Sequence, residues 1–252
     1  MTPKKEHYRN KLPHFQQSGQ WYFITCVLFG AMPKGAMDKY LIALETAKKK
    51  YQFLLKMNNE NTKMDHLSSG MNKLIVSTSE SDQKENILLA KNEYYIALKK
   101  YRLAYDKILH NYKPSTINLS SDKNKNIIEN ALQYWVGKRI ENHAFCIMPN
   151  HIHWVLTIKK MNNEIKQNYL QDILHSIKLY TANRINKIEH QNGQFWEHES
   201  FDTTLRSIEH FYNAMNYTLQ NPVSAGIVKN WKDWPGTWIS KNWESEFPVE
   251  EY

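Results

Sequence analysis

Apolar and polar residues alternate with two different periods along this chain, and each change of period marks a change of secondary structure. Residues 20–29 form a β-branched and aromatic run between Gly19 and Gly30, which predicts a buried strand. A second apolar run, residues 144–158, is broken by Met148-Pro149-Asn150 and predicts two strands joined by a short turn. These three strands are the expected centre of the fold.

Residues 37–113 follow a helical period instead. Apolar residues recur at spacings of three and four over 37–54 and again over 87–112, with a polar stretch at 58–83 between the two series. This pattern predicts an antiparallel helical hairpin inserted after the first strand. Clustered lysines and the polar tip favour an arm that projects from the main domain, whereas the alternative is a pair of ordinary core helices.

The rest of the chain supplies three further helices and one more strand. Apolar periodicity predicts a helix from 122 to about 139 and a basic amphipathic helix over 165–187. An edge strand is expected within 195–206, and a helix over 208–221 should end at the proline that follows it.

The predicted order is strand, helical hairpin, helix, strand, strand, helix, strand, helix. Without the hairpin this is the split βαβ pattern, so we predict an α+β fold with a ferredoxin- or RRM-like antiparallel sheet and helices mainly on one face. The other face is expected to be open to a nucleic acid. Residues 1–36 and 114–252 form one discontinuous domain in this interpretation, and residues 37–113 form the inserted helical hairpin arm.

Charge and cysteine content narrow the class of protein. The formal net charge of +8 and the pI of about 9.2 favour a polyanionic partner, nucleic acid first, and basic residues among the first 18 are a candidate arm on its phosphates. The sequence has no apolar run of about 18 residues and no signal-peptide core, so a cytoplasmic protein without a membrane partner is expected. Cys26 and Cys146 lie in apolar strand-like runs and are interpreted as reduced core residues.

His151 and His153 are the first candidates for chemistry. Residues two apart on a strand point to the same face, so both imidazoles are expected side by side just after the turn. Neutral imidazoles at this spacing could hold one divalent metal or polarise one phosphate. A pair of surface histidines on a half-exposed strand is the alternative, because so short a motif has many false matches.

Tyr217 and Asn221 are the second candidates. They lie four residues apart in the last predicted helix and therefore share one helical face. Taken alone, an amphipathic core tyrosine and a helix-terminating asparagine explain them. Tyr212 is expected to point away from the face of Tyr217, and Tyr180 is expected to pack in the core.

Four sequence blocks together resemble the HUH single-tyrosine transposases, in particular the REP-associated tyrosine transposases. The blocks are Met-Pro-Asn-His-Ile-His at 148–153, Phe-Trp-Glu-His at 195–198, Tyr-Thr-Leu-Gln-Asn-Pro-Val-Ser-Ala-Gly-Ile-Val at 217–228 and Trp-Lys-Asp-Trp-Pro at 231–235. The likeness covers residues 19–30 and 118–238 and does not extend over 37–113. Four residues after the tyrosine, broader insertion-sequence relatives carry Gln. This chain has Asn221 at that position, and the REP-associated branch also has Asn there.

The resemblance implies a transposase that cleaves and rejoins single-stranded or hairpin DNA. His151, His153 and Asn221 would coordinate Mg²⁺ or Mn²⁺, and Tyr217 would attack the scissile phosphate to give a 5′-phosphotyrosine and a free 3′-OH. REP-like palindromes are the implied DNA partners, a homodimer is a candidate assembly, and association with the bacterial nucleoid is expected. Three basic residues of the 165–187 helix are candidate phosphate contacts: Lys178, Arg184 and Lys187.

Three other functions remain open. A domesticated site-specific DNA endonuclease would cut without mobilising its own gene. A metal-dependent hydrolase would use the histidines and would still cleave without Tyr217. A non-catalytic RRM-like nucleic-acid-binding module would need aromatic residues on the central strands, but it has no need of Tyr217 and Asn221 opposite a histidine pair.

Overall fold

The computed structural model describes residues 7–9, 13–15, 19–67, 80–111, 117–160, 168–198 and 200–248. The chain separates into two compact units, one of residues 1–32 with 112–252, called here the sheet unit, and one of residues 33–111, called the hairpin unit. Several predicted features lie outside the described residues: most of the basic N-terminal arm, the hairpin tip at 68–79, Lys113, and the start of the helix predicted at 165–187.

Antiparallel strands build the sheet unit. In chain order they are β1 (His7–Arg9), β2 (Pro13–Phe15), β3 (Trp21–Val27), β4 (Ile140–Ile147), β5 (His151–Ile158), β6 (Phe201–Leu205) and β7 (Thr237–Ile239). β1 pairs with β2, and the others form a five-stranded sheet in the order β6-β3-β5-β4-β7, antiparallel throughout. β5, which carries the histidine pair, is therefore the central strand.

The helices are α1 (Asp38–Leu67), α2 (Glu80–Asn111), α3 (Asp122–Gln133), α4 (Leu170–Ile188) and α5 (Ile208–Ser224). α1 and α2 lie in the hairpin unit, and the other three belong to the sheet unit. Over the described ranges, we find no helix with both the length and the apolar character that a membrane span requires.

α3 and α4 lie on one face of the sheet. Trp154 of β5 donates from Nε1 to Oδ1 of Asn142 at 2.8 Å, and Asn142 donates from Nδ2 to the carbonyl of Leu132 in α3 at 3.0 Å. Trp196 donates from its indole nitrogen to Thr181 of α4 at 2.9 Å. These bonds satisfy buried polar groups and so fix both helices on the layer that contains Trp154.

α5 packs on the opposite face. Its Phe211, Met215 and Leu219 are at most 1% exposed and form an apolar cluster with Ala144 of β4 and Val155 of β5. The predicted α+β fold with an antiparallel sheet is confirmed. The expectation that the second face is open to a nucleic acid is wrong over the area of α5, because the apolar side of this amphipathic helix requires burial.

The end of α3 differs from the sequence prediction. The helix ends at Gln133, not at about Arg139, and the following residues form a turn that leads into β4. Gly137 adopts φ +77° in this turn, a left-handed conformation that glycine accepts without strain, and its N–H donates to the carbonyl of Ile140 at 3.0 Å. Residues 134–136 therefore continue the apolar pattern of α3 although they lie in the turn after the helix.

The end of α5 also differs, because Pro222 lies inside the helix and does not end it. Proline in the last turn removes one N–H donor, and the N–H of Ala225 still donates to the carbonyl of Asn221 at 2.9 Å. The helix continues to Ser224 for this reason. Asn221 therefore has helical geometry one turn after Tyr217.

α1 and α2 run along each other in the hairpin unit. Tyr51 stacks on Tyr94 with ring centroids 6.3 Å apart, and Leu109 is 1% exposed. Lys50 and Glu93 form an ion pair between the helices at 2.7 Å, which contributes little because both side chains are about half exposed. Projection of this hairpin from the sheet unit stays a prediction.

Candidate active site

β5 presents His151 and His153 on the same face of the sheet, as the alternation of side chains along a strand requires. Their ring centroids are 4.7 Å apart and nearly perpendicular, and each residue is 1% exposed. In β3, Val27 pairs with His151 and Thr25 pairs with His153. The interpretation of these residues as surface histidines is therefore wrong, because α5 covers this face of β5.

Neighbouring polar groups hold the Nδ1 side of both rings. Oδ1 of Asn150 lies 2.7 Å from Nδ1 of His151, and Oγ1 of Thr25 lies 2.9 Å from Nδ1 of His153. A hydrogen bond at one ring nitrogen fixes the tautomer and the orientation that the other nitrogen presents. In both residues these contacts leave Nε2 as the second ring nitrogen, and that of His151 faces α5.

α5 contributes Asn221 directly to this pair. Its Oδ1 lies 3.2 Å from Nε2 of His151, although the two residues are 70 positions apart in the chain. Asn221 is 2% exposed, and α5 is held from its start by Ser207, whose hydroxyl accepts from the N–H of His210 at 3.2 Å. The cap and the apolar cluster position the last turns of α5 over β5.

The facing atoms of His151 and Asn221 test whether a cation fits. A neutral His151 that donates from Nδ1 to Asn150 has a lone pair at Nε2, and the amide oxygen of Asn221 is also an acceptor. A metal ion or a second ring proton would satisfy both acceptors, and so would the Nδ2 group of Asn221 with its amide turned by 180°. Because imidazole nitrogen and amide oxygen are both metal ligands, the residues present fit a divalent ion.

Tyr217 lies beside the second histidine. Its ring centroid is 5.0 Å from that of His153 and 5.5 Å from that of Phe23, both in edge-on geometry, and the residue is half-buried. Tyr212, in contrast, packs against Trp243 with ring centroids 6.0 Å apart. The structure thus brings together all four residues singled out from the sequence, and their roles stay predictions.

The candidate phosphate contacts on α4 lie across the sheet from this site. Lys178 is half-buried and donates to the carbonyls of Glu197 at 2.8 Å and His198 at 3.4 Å, so it ties α4 to the segment before β6. Arg184 and Lys187 are exposed. The structure does not bring these three cations to the histidine pair, and their contact with DNA stays a prediction.

Sequence reasoning gave no role to Thr25, Phe23 or the side chain of Asn150. Thr25 and Phe23 reach the site only through the register of β3 on β5, which local sequence does not specify. Asn150 could have been found, because it is the residue before the histidine pair and its side chain is short enough to bond the next ring. No group of three His, Cys, Asp or Glu that could hold a metal occurs within the described residues; the predicted ligand set contains two residues of these types.

The chain is 22% identical over 119 residues to the curated "Putative REP-associated tyrosine transposase" of Haemophilus influenzae (strain ATCC 51907 / DSM 11121 / KW20 / Rd), and the match spans 44% of this chain and 66% of the relative, just under two thirds of its length. A solved REP-associated tyrosine transposase bound to a REP hairpin aligns over 91% of this chain and 82% of that one, with 12% identity and a TM-score of 0.45. No family model matches the chain. The curated relative confirms the resemblance to REP-associated tyrosine transposases.

Proposed function

We propose that this chain is a tyrosine transposase that cleaves and rejoins single-stranded or hairpin DNA with the help of a divalent metal ion. One observation carries the proposal: Tyr217 and Asn221 of α5 meet His151 and His153 of β5 on one face of the sheet. Residues so distant in sequence are not neighbours through local structure. The similarity to the curated relative supports the same class of enzyme.

The proposed ligands of Mg²⁺ or Mn²⁺ are Nε2 of His151, Nε2 of His153 and Oδ1 of Asn221. When bound, the ion supplies a Lewis acid that offsets the charge of the scissile phosphate. Asn150 and Thr25 contact the Nδ1 sides of the two rings and so orient each ring with Nε2 as the proposed ligand atom.

Tyr217 is the proposed nucleophile. Its phenolic oxygen bonds to phosphorus while the bond from phosphorus to the 3′ oxygen breaks; the phenol loses its proton to water and the 3′ oxygen gains one. The products are a 5′-phosphotyrosine and a free 3′-OH, and attack by a 3′-OH reverses the bond changes without a nucleoside triphosphate. The rings of Phe23 and His153 restrict Tyr217 and keep its oxygen near the site.

The proposed substrate class includes REP-like palindromes, in line with the name of the curated relative. The net charge of +8 favours binding to any such polyanion. We place the enzyme in the cytoplasm with the nucleoid. Residues 1–36 with 114–252 are the proposed catalytic domain, and residues 37–113 are the proposed arm.

A second copy of the chain is the proposed partner of that arm. Leu89, Ile96 and Leu103 lie seven residues apart on one side of α2 and are 52%, 56% and 59% exposed. In an antiparallel pairing centred on Ile96, Leu89 meets Leu103 of the second copy, and Glu93 lies beside the second copy's Lys100 on the same flank. Apolar and charged positions are thus self-complementary.

The part of α1 whose side chains are described, residues 38–60, has a less favourable surface. Its exposed residues Ile42, Phe53 and Met57 do not follow a seven-residue spacing, and three consecutive lysines, residues 48–50, lie between Ile42 and the other two. An antiparallel pairing of α1 with itself would bring these lysines together, and like charges in contact oppose association. The homodimer is therefore proposed through α2.

The decisive experiment measures a covalent protein–DNA adduct. A hairpin oligonucleotide labelled at its 3′ end is incubated with the protein and Mn²⁺, and the products are separated under denaturing conditions. A 5′-phosphotyrosine retains the 3′ fragment, so the label should migrate with the wild-type protein. Tyr217→Phe should form no adduct, because it lacks the attacking oxygen and keeps the ring.

Tyr212→Phe is the matched control, since it removes a phenol from the same helix at a distance from the histidines. It should form the adduct at the wild-type level. An adduct that persists in Tyr217→Phe contradicts the assigned nucleophile. Cleavage without any adduct favours a hydrolase, binding without cleavage favours an RRM-like module, and cleavage without joining to an added acceptor strand favours a domesticated endonuclease.

A further inference from the structure

A groove separates the outer surfaces of α3 and α4 in the sheet unit. It has a volume of about 500 Å³, with Ala131 of α3 and Ile177 of α4 among its apolar lining residues. Asn130 and Ser176 supply polar groups in the same lining. This groove lies on the face of the sheet opposite the histidine pair, because α3 and α4 cover the layer of Trp154.

Aromatic rings form much of the groove wall. Tyr134, Trp135 and Tyr180 all line it. Tyr134 is 59% exposed and Tyr180 is 46% exposed, so the expected burial of Tyr180 in the core is wrong. Large rings turned to water along a groove are typical of a binding surface, because their burial awaits a ligand.

Two cationic side chains contact the rings of Tyr134 and Trp135. Nζ of Lys138 lies 4.5 Å from the centroid of Tyr134, and the guanidinium carbon of Arg139 lies 4.9 Å from that of Trp135. Arg139 also donates from Nε to Oδ1 of Asn168 at 2.8 Å, which fixes its guanidinium beside the groove. The turn after α3, with Gly137 in the left-handed conformation, brings both cations back over the two rings.

The chemistry of this surface selects its ligand. Flat aromatic walls favour a planar group that can stack, and a cationic rim favours a negative charge attached to it. A nucleotide has both properties, whereas a cationic ligand is repelled by the rim and a purely apolar helix leaves the cations without counter-charge. The amide of Asn130 and the hydroxyl of Ser176 are suited to hydrogen bonds with a base edge.

We propose that this groove binds an unpaired nucleotide of the DNA substrate, with its base on the tyrosines and its phosphate beside Lys138 and Arg139. The inference rests on the proposed function for the identity of the strand, and it adds a second contact point to that function. A base must be unpaired to stack between side chains, so the groove selects single-stranded over duplex DNA. The groove therefore anchors a part of the strand that is distinct from the scissile phosphate.

The test is the affinity for a fluorescent oligothymidylate of 12 nucleotides, measured by anisotropy at low salt. Tyr217→Phe is the background, so that no adduct forms during the titration. Tyr134→Ala and Tyr180→Ala should each weaken binding roughly 5- to 150-fold, the range expected for the loss of one stacked base. Tyr134→Phe and Tyr180→Phe keep the rings and should bind within about twofold of the background.

Tyr95→Ala is the control, because Tyr95 is an equally exposed tyrosine, 54% exposed, in the hairpin unit. It should leave the affinity unchanged. The inference is overturned if the alanine variants bind with the affinity of the background, or if the groove and control variants lose affinity equally. It is also overturned if the protein prefers a 12-base-pair duplex to the oligothymidylate. Thermal melting should be unchanged in every variant, since the substituted rings are exposed.

The same variants separate this inference from the proposed function. If Tyr217 is required for the adduct but the groove variants bind DNA normally, the enzyme assignment stands and the groove assignment is wrong. If the groove variants lose DNA but Tyr217→Phe still forms an adduct, the groove assignment stands and the nucleophile is wrong. With Tyr217 intact, Tyr180→Ala should raise the DNA concentration needed for half-maximal adduct formation. The rate of adduct formation at saturating DNA should stay unchanged.

Discussion

The sheet unit and the hairpin unit bury their large apolar side chains to different extents. In the sheet unit, Tyr22, Trp154 and Phe211 are at most 2% exposed, whereas Leu89 and Ile96 of the hairpin unit are more than half exposed. A sheet covered on both faces encloses two apolar layers, but two paired helices share one seam and leave their outer sides in water. An exposed apolar residue of the hairpin is therefore a candidate partner contact, and a buried one in the sheet unit is a determinant of fold.

This contrast predicts a large difference between two truncations to alanine. Phe211→Ala should lower the stability of the sheet unit by about 3–5 kcal/mol, because it leaves a cavity where α5 packs on the sheet. Leu88→Ala, at a position 55% exposed and off the seven-residue stripe of α2, should change the stability of the hairpin unit by less than about 0.5 kcal/mol. Hydrogen exchange followed by mass spectrometry reports on the two units separately.

Similar losses of stability from Phe211→Ala and Leu88→Ala would contradict the proposed difference in burial between the two units. Such a result would mean that the exposed side of α2 is covered when the protein is in solution. The measurement should therefore be repeated over a range of protein concentrations, because cover by a second copy disappears on dilution whereas a fixed intramolecular contact does not.

The sheet unit should also lose stability in acid through one buried histidine. Burial lowers the pKa of His143 from 6.5 to about 4, and its ring accepts from Nε1 of Trp243 at 3.1 Å. Between these two pH values the unfolded chain binds a proton at His143 that the native state does not. The stabilisation that depends on neutral His143 is therefore fully present above pH 6.5 and is lost as the pH falls to about 4. The loss should reach about 3 kcal/mol.

Urea denaturation at a series of pH values checks this dependence. His143→Gln should be less stable at pH 7 and should lose less further stability down to pH 4. His175→Gln, at an exposed position of α4, is the control and should keep the wild-type slope. An unchanged slope in His143→Gln would assign the acid sensitivity to another group.

Sequence period was sufficient for most elements of both units, but not for the ends of helices. The turn at Gly137 interrupts an apolar pattern that reads as helix, and the last turn of α5 tolerates Pro222, which reads as a stop. Both outcomes depend on backbone conformation and hydrogen bonds at single residues, which the spacing of apolar residues does not report. That spacing also does not reveal which side of a helix has a neighbour, so the exposure of Tyr180 was not predicted.

Only part of the candidate site could be predicted from the sequence, because the period of an element reports on neighbours within that element. His151 with His153, and Tyr217 with Asn221, are pairs whose proximity follows from the period of one strand and one helix. That the two pairs meet was expected only from the resemblance, because no period connects distant elements. Thr25 was not predicted, since its place beside His153 depends on strand register.

Self-association through α2 is the smallest expected effect. Ile96→Glu should weaken the dimer at least about tenfold, because it places a charge at the centre of an apolar stripe. Glu93→Lys should also weaken it, and the combination with Lys100→Glu should restore it, since the proposed pairing opposes these two positions. Analytical ultracentrifugation provides the dissociation constants. A monomer at all concentrations, or a double variant no tighter than Glu93→Lys alone, would exclude this pairing.

The histidine and asparagine side chains proposed as ligands are all electrically neutral. A divalent ion held by them retains its full double charge, in contrast to one held by carboxylates. If this proposal is correct, the phosphate of a DNA strand would be the counter-ion of the site, so the ion and the strand would each raise the affinity of the protein for the other by the same factor. The proposed ion would then be held weakly until the strand binds, and the protein without DNA would exchange it freely with the surrounding solution.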